Sequence, residues 1–151
     1  MSKTLPIIVA VICGFIGFAT MAVLGPSKFD YADDPEERQQ QRLDNIAKGF
    51  EVGFKATSGG QAVIERIRAD AGTDSIAVDI RFIQKEIEFA PPGVVADFRK
   101  YVYKHNCVFL NRKSVLDEGV TLKIRTMKPS GALLTNFSIN RENCAPYLKS
   151  A

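Results

Sequence analysis

The side chains best suited to chemistry in this sequence are three cysteines and a single histidine. Cys13 lies inside a long apolar segment, which leaves Cys107 and Cys144 as a pair in the rest of the chain. An even number of cysteines in an oxidising compartment is typical of disulfide formation. We therefore predict a disulfide between Cys107 and Cys144. Closing this loop would stabilise the fold by roughly 4 kcal/mol through the lower entropy of the unfolded chain.

A second interpretation of the same residues is a reactive thiol at Cys107. His105 lies two positions earlier, and an imidazole beside a cysteine favours the nucleophilic thiolate. The sequence has no Cys-x-x-Cys pair for redox exchange, and structural cysteines dominate in small exported domains. A thiol-dependent enzyme using Cys107 is therefore kept only as an alternative to the disulfide, with His105 expected at the surface beside the bridge.

No other set of residues matches a known catalytic or ligand-binding pattern. A zinc site needs about four Cys, His or acidic ligands in close groups, and residues 70–74 lack the further ligands of a calcium loop. Gly59-Gly60 is not followed by the Gly-Lys-Ser/Thr of a phosphate loop. The sequence thus predicts no catalytic residue, no metal and no cofactor, and it indicates no nucleic acid or small-molecule ligand. We expect a protein that is not an enzyme.

A long apolar segment precedes the rest of the chain. From Leu5 to Leu24 it contains no charged residue, and about 20 apolar residues suffice for a helix to cross the roughly 30 Å hydrocarbon layer. We predict residues 1–26 to be an N-terminal signal-anchor transmembrane helix with a cytoplasmic N-terminus, because Lys3 precedes the segment. The remainder would lie on the exported side, as in a bacterial inner-membrane protein facing the periplasm. The alternative is a cleaved signal peptide, which would release a soluble exported binding module.

Small residues recur within this predicted anchor at a spacing that favours helix packing. Ala10 and Gly14 are four positions apart, as are Cys13 and Gly17, which lets a second transmembrane helix approach closely. We therefore predict a helix contact inside the membrane at Ala10, Gly14 and Gly17.

The exported part contains five bases that lie close together in sequence. They could contact an acidic partner or anionic lipid. The alternative is an ordinary solvated face of mixed charge. The predicted basic contact surface consists of Arg99, Lys100, Lys104, Arg112 and Lys113.

Periodicity divides the first half of the exported part into elements. Residues 27–42 are predicted to be a polar linker and the start of a stalk helix, because residues 34–37 combine an N-cap, a first-turn proline and first-turn acids. The helix continues to about Lys55 with one apolar stripe. Residues 61–71 fit a second short helix, although their apolar side chains also alternate as in a strand.

The second half of the exported part combines strands with a helix. Residues 75–82 alternate as in a half-buried strand, and the segment from Val94 to about Lys104 has a helical stripe. Two alternating segments around residues 128–131 predict a hairpin. We predict an α+β domain over residues 43–151, in which a small antiparallel sheet of about three strands, including the C-terminal β-hairpin, packs against two or three helices.

These features together favour a structural role. A chain poor in catalytic groups, with an anchor suited to packing, is expected of a non-catalytic accessory or structural subunit of a cell-envelope or membrane protein complex. We expect it to contact other subunits through both the anchor helix and the exported domain.

Overall fold

The structure is a computed structural model that describes residues 33–112 and 115–149. Along the chain the main elements are α1 (Pro35–Thr57), β1 (Ala62–Asp70), β2 (Ser75–Phe82), α2 (Pro92–Arg112), β3 (Thr121–Met127), β4 (Leu133–Ile139) and α3 (Arg141–Leu148). The predicted anchor of residues 1–26, with Ala10, Gly14 and Gly17, lies outside the described residues. Within the described ranges no helix is long and apolar enough to cross a membrane.

Helix α1 begins where the sequence predicts. The Asp34 carboxylate accepts a hydrogen bond from the Glu36 backbone N–H at 2.9 Å, and Pro35 occupies the first turn, where a missing N–H costs nothing. The apolar stripe of α1 is buried in the core: Leu43, Ile46, Ala47, Phe50 and Phe54. Because burying each large apolar side chain contributes about 1.5–3 kcal/mol, this stripe holds α1 on the sheet.

The segment predicted as a second short helix at residues 61–71 is instead strand β1. It pairs antiparallel with β2, and a bulge between Ile64 and Arg66 shifts the register. Because of this bulge, the residues that pack on the core, Ile64, Ile67 and Ala69, are spaced by three and then by two positions, which in sequence resembles a helical stripe. The hydrogen bonds that β2 offers across a short connection outweigh the helical tendency of so short a segment.

The sheet has four strands in the order β1-β2-β3-β4, and it is mixed. The β1-β2 and β3-β4 pairs are antiparallel, and the second pair is the predicted hairpin. Strands β2 and β3 run parallel, because the chain between them crosses back through α2, as parallel neighbours require. The α+β class is confirmed, but the prediction of about three antiparallel strands was wrong in strand number and in the pairing of β2 with β3.

One face of the sheet forms the hydrophobic core with the helices. Helix α1 packs on β1 and β2, whereas α2 packs on β4 and α3. The Phe98 ring of α2 meets the Phe82 and Phe137 rings edge to face, at centroid distances of 6.4 and 5.5 Å. The buried side chains of β2, β3 and β4 include Ile76, Val78, Ile80, Phe82, Leu122, Ile124, Phe137 and Ile139. Alternate side chains of the same strands are directed to the opposite side, which we call the outer face.

Candidate interaction surfaces

The two cysteines of the domain form a buried bridge. Cys107 and Cys144 are joined by a disulfide with a Cα–Cα distance of 5.2 Å, and neither residue is exposed. The bond connects α2 to α3. His105 is exposed, and its ring lies 4.0 Å from that of Tyr101. With Cys107 oxidised and buried, the alternative of a thiol nucleophile has no thiol to use.

A buried amide lies next to this bridge. Asn106 is only 1% exposed, and its side-chain nitrogen donates a hydrogen bond to the Val102 carbonyl of the same helix. Its side-chain oxygen has no hydrogen-bond partner among the described residues. A buried polar atom without a partner lowers the stability of the fold by about 1–3 kcal/mol. The Asn106 side chain is therefore a destabilising feature in the packing of α2.

The structure divides the predicted basic contact surface. Arg99 is half-buried and directed to the edge of β4, where its guanidinium carbon lies 5.6 Å from the centroid of the Phe137 ring. Lys113 lies outside the described residues. The other three bases are exposed on α2: Lys100, Lys104 and Arg112. Arg99 therefore makes contacts with β4, whereas the other three bases are exposed to solvent.

Side chains of the helices cover the free edge of β4. Arg99 donates a hydrogen bond to the Asn136 carbonyl, and the Tyr103 hydroxyl accepts one from the Ser138 N–H at 3.0 Å. The Asn143 side chain of α3 donates to the Ser138 carbonyl at 2.8 Å. Unpaired edge groups invite pairing with another chain, and here side chains of α2 and α3 occupy them.

The outer face of the sheet carries a two-dimensional array of charges. In one row across the strands, Arg66, Asp79, Arg125 and Asn136 are neighbours, and the Asp79 carboxylate accepts two hydrogen bonds from Arg125, at 3.1 and 3.0 Å. A second ion pair joins Arg81 to a glutamate of β1. The adjacent row consists of Arg68, Ala77, Lys123 and Ser138.

Two shallow clefts lie on this face. The first, of about 320 Å³, is lined by Arg66, Arg68, Ala77, Asp79 and Arg125. The second, of about 380 Å³, shares Ala77, Asp79 and Arg125 with the first and extends across β3 and β4 to Arg99 and Tyr103. Since the two clefts share part of their lining, they adjoin on this face, and together we call them the groove. Within the described residues no cluster of His, Cys, Asp and Glu could hold a metal ion.

A different surface lies at one end of the sheet, where large apolar side chains are exposed. Phe89 is 85% exposed, more than Val52, Ile83 or Leu133. The loop that carries it is held to the β3-β4 turn, because the Glu88 carboxylate accepts hydrogen bonds from the Ser130 N–H and hydroxyl at 3.0 and 2.7 Å. These bonds lower the pKa of Glu88. We call the end of the sheet where β2 and β3 finish the apolar end. The elements that meet there carry four exposed apolar side chains: Val52, Ile83, Phe89 and Leu133.

The opposite end of the sheet is where the chain enters the domain. The Gln39 side-chain nitrogen donates to the Asp74 carboxylate at 2.9 Å. The Gln40 side chain donates to the Ala69 carbonyl of β1 and accepts from the Ala71 N–H of the β1-β2 connection. These bonds place the start of α1 beside that connection. The apolar end therefore lies at the far end of the sheet from residue 33.

Neither the charged outer face nor the apolar end was predicted from the sequence. The bases of the outer face belong to separate strands, and only the pairing of β1 with β2 and of β2 with β3 brings them together. A local signal existed in the alternation of Arg66 with Arg68, and of Lys123 with Arg125, at polar strand positions. The exposed apolar residues are scattered singly in sequence, where such residues carry no signal.

Comparisons with known proteins bear on the fold. No protein-family model matches this sequence, and no curated protein does. Among solved structures, the pilotin EpsS of the Vibrio vulnificus type 2 secretion system matches with a TM-score of 0.50 and 17% identity, over 74% of this chain and 96% of that chain. The type II secretion system pilotin AspS of Vibrio cholerae matches with a TM-score of 0.46 and 17% identity, over 70% and 95%. The likeness to EpsS shows that the two chains share a fold.

Proposed function

We propose that this protein is a non-catalytic accessory subunit of a membrane-associated secretion complex in a bacterial envelope. The observation that carries the proposal is the likeness of its fold to the EpsS pilotin of a type 2 secretion system, which covers 96% of that chain. On this proposal residues 1–26 are the signal-anchor helix, residues 27–42 the linker and residues 43–151 the exported domain.

The geometry of the domain suits such an arrangement. A segment attached before residue 33 emerges beside the β1-β2 connection, because the Gln39 and Gln40 bonds hold the start of α1 there. The apolar end then faces away from the membrane to which the chain is attached. Phe89 follows Glu88 and Leu133 lies three positions after Ser130, so the Glu88–Ser130 hydrogen bonds bring both exposed side chains to this end. Exposed apolar groups that lie close together are typical of protein contact sites. We therefore assign the contact with a neighbouring subunit to the apolar end.

Site-specific photocrosslinking of the full chain in its native membranes tests this assignment. A photoreactive residue replacing Phe89 is expected to capture one partner protein, whereas the same residue replacing the exposed Thr73 at the opposite end is not. Equal capture at both positions, or capture at neither, would argue against the apolar end as the contact surface.

A variant sharpens this test. Phe89→Ser combined with Leu133→Ser removes two apolar anchors, and the amount of partner recovered after extraction in mild detergent is expected to fall about tenfold. The matched control is Thr73→Ala, which should leave recovery unchanged. A lone monomer recovered from unaltered membranes, with no partner at all, would sink the proposed function.

The anchor is tested separately by the N-terminus of the mature protein. Sequencing is expected to find a chain that still contains residues 5–24. A mature chain beginning near Val23 would support the alternative of a soluble exported binding module, because cleavage there removes the apolar segment.

A further inference from the structure

We propose that the outer face of the sheet binds an extended acidic segment of a partner protein. This inference goes beyond the proposed function, because the apolar end lies at another part of the domain and the likeness to EpsS concerns the fold. It rests on the charges, their spacing and the shape of the groove.

The outer face has more bases than acids. Its bases are Arg66, Arg68, Arg81, Lys123 and Arg125, and its acids are Glu65, Asp79 and, at the end of β1, Asp70. Arg81 and Arg125 hold Glu65 and Asp79 in ion pairs, and the Asp70 carboxylate accepts hydrogen bonds from the Gly72 N–H and the Thr73 hydroxyl. The remaining three bases have no acidic partner within residues 33–112 and 115–149. With five bases and three acids, the face therefore has an excess of two positive charges that an acidic partner could neutralise.

The spacing of these bases suits a ligand that carries more than one negative charge. Arg68 and Lys123 flank Ala77 in the same row, so their Cα atoms are two strand spacings apart, or roughly 10 Å. The short Ala77 side chain leaves the space between them open. In the next row Arg66 and Arg125 flank Asp79, whose carboxylate would repel an anion placed directly over it. The arrangement therefore favours a ligand whose negative charges lie to either side of Asp79.

An extended peptide meets these requirements. Its side chains on one side recur about every 7 Å, a spacing that the long Arg and Lys side chains can follow. The groove crosses the strands from Arg68 towards Arg99 and Tyr103, and guanidinium groups bind carboxylates with paired hydrogen bonds. Asn136 and Ser138 also line it and offer hydrogen bonds to a peptide backbone.

A lipid surface fits the outer face less well. Only Ala77 is apolar among the residues that line the first cleft, and the large exposed apolar side chains lie at the apolar end. Peripheral membrane binding draws on buried apolar area as well as on charge. The bases also line the groove, which a single extended chain can follow across the strands.

The experiment measures fluorescence anisotropy with the full chain in an uncharged detergent. The probe is a rhodamine-labelled peptide of alternating Glu and Ser, about ten residues long so that it exceeds the width of four strands. Binding is expected at low salt and should weaken as the salt concentration rises, because exposed charges are screened. A peptide of alternating Gln and Ser should not bind.

Two charge-matched variants locate the binding. Arg68→Glu with Lys123→Glu should weaken binding at least about tenfold, since two attractions become two repulsions. The control Lys48→Glu with Lys55→Glu changes the net charge by the same amount on the exposed side of α1 and should alter binding less than about twofold. If the first variant fails to fold, as judged by circular dichroism, Arg68→Gln with Lys123→Gln replaces it.

Three results would overturn the proposal. The first is an unaltered protein that does not bind the acidic peptide at low salt. The second is an equal loss in both variants, which would mean that net charge alone drives the association. The third is peptide binding that disappears when phosphatidylglycerol is mixed into the detergent micelles, because lipid headgroups would then be the preferred occupant. None of these results depends on whether the apolar end has a partner, so the proposed function stands or falls separately.

Discussion

The inner and outer faces of the sheet are built from alternate residues of the same strands, yet they differ in burial and in charge. On the inner face Val78 and Ile124 are neighbours and are almost completely buried, whereas on the outer face their neighbours in sequence, Asp79 and Arg125, form a partly exposed ion pair. Apolar burial contributes about 25 cal/mol per Å², while exposed ion pairs contribute about 0–1 kcal/mol. The inner face therefore supplies most of the stability of the domain, and substitutions on the outer face should cost little.

The largest effect expected from this comparison follows from Phe98→Ala. The Phe98 side chain is completely buried between two other aromatic rings, so truncation should lower the free energy of unfolding by about 3–5 kcal/mol. Lys123→Ala on the outer face is the control and should change it by less than about 0.5 kcal/mol. Urea denaturation of both variants measures the difference, and similar losses would erase the distinction between the faces.

The disulfide should rank next. Replacing both Cys107 and Cys144 by Ala is expected to lower the free energy of unfolding by about 2–4 kcal/mol, mainly because the unfolded chain regains its freedom. The same measurement on the unaltered protein after chemical reduction should show a matching loss. Variant and unaltered protein of equal stability under oxidising conditions would show that the bridge does not form in the native protein.

A smaller effect of opposite sign is expected from Asn106→Leu. This change replaces a buried amide whose oxygen lacks a partner among the described residues with an apolar side chain of similar size. Thermal unfolding should show a gain of about 1 kcal/mol. Asn136→Leu on the exposed outer face should produce no comparable gain. A destabilised Asn106→Leu variant would mean that the amide oxygen is satisfied in solution.

The smallest effect concerns the loop that carries Phe89. Because hydrogen bonds from Ser130 lower the pKa of Glu88 below its ordinary value of 4.5, ionised Glu88 stabilises the folded state. This contribution is complete above pH 4.5 and is lost as the pH falls through the lower pKa of the folded state. Glu88→Gln should therefore melt at a lower temperature than the unaltered protein at pH 6, and the difference should shrink as the pH falls below 4.5, through the lowered pKa of folded Glu88. A difference that does not depend on pH would exclude the ionised carboxylate as its cause.

Several elements could be predicted because their signals are local. The N-cap and apolar stripe of α1, the alternation of β2 and the hairpin of β3 and β4 each lie within a short run of sequence. Helix α3 was not predicted because it has only 8 residues and contains Pro146, although the Asn140 side chain caps it by accepting a hydrogen bond from the Asn143 N–H at 2.8 Å. Strand β1 was misread because its bulge replaces strict alternation with a spacing that resembles a helix.

The sequence by itself determined the class of fold, the cysteine pair and the helix that begins at Pro35, since each depends on neighbours in the chain or on a count. Only the tertiary structure decided that β2 and β3 are parallel neighbours. That pairing brings Arg68 and Lys123 to either side of Ala77, and the helix packing directs Arg99 to the edge of β4. Contacts between residues distant in sequence depend on how whole elements bury their apolar faces together. The pattern within one strand or helix does not indicate which other element it packs against.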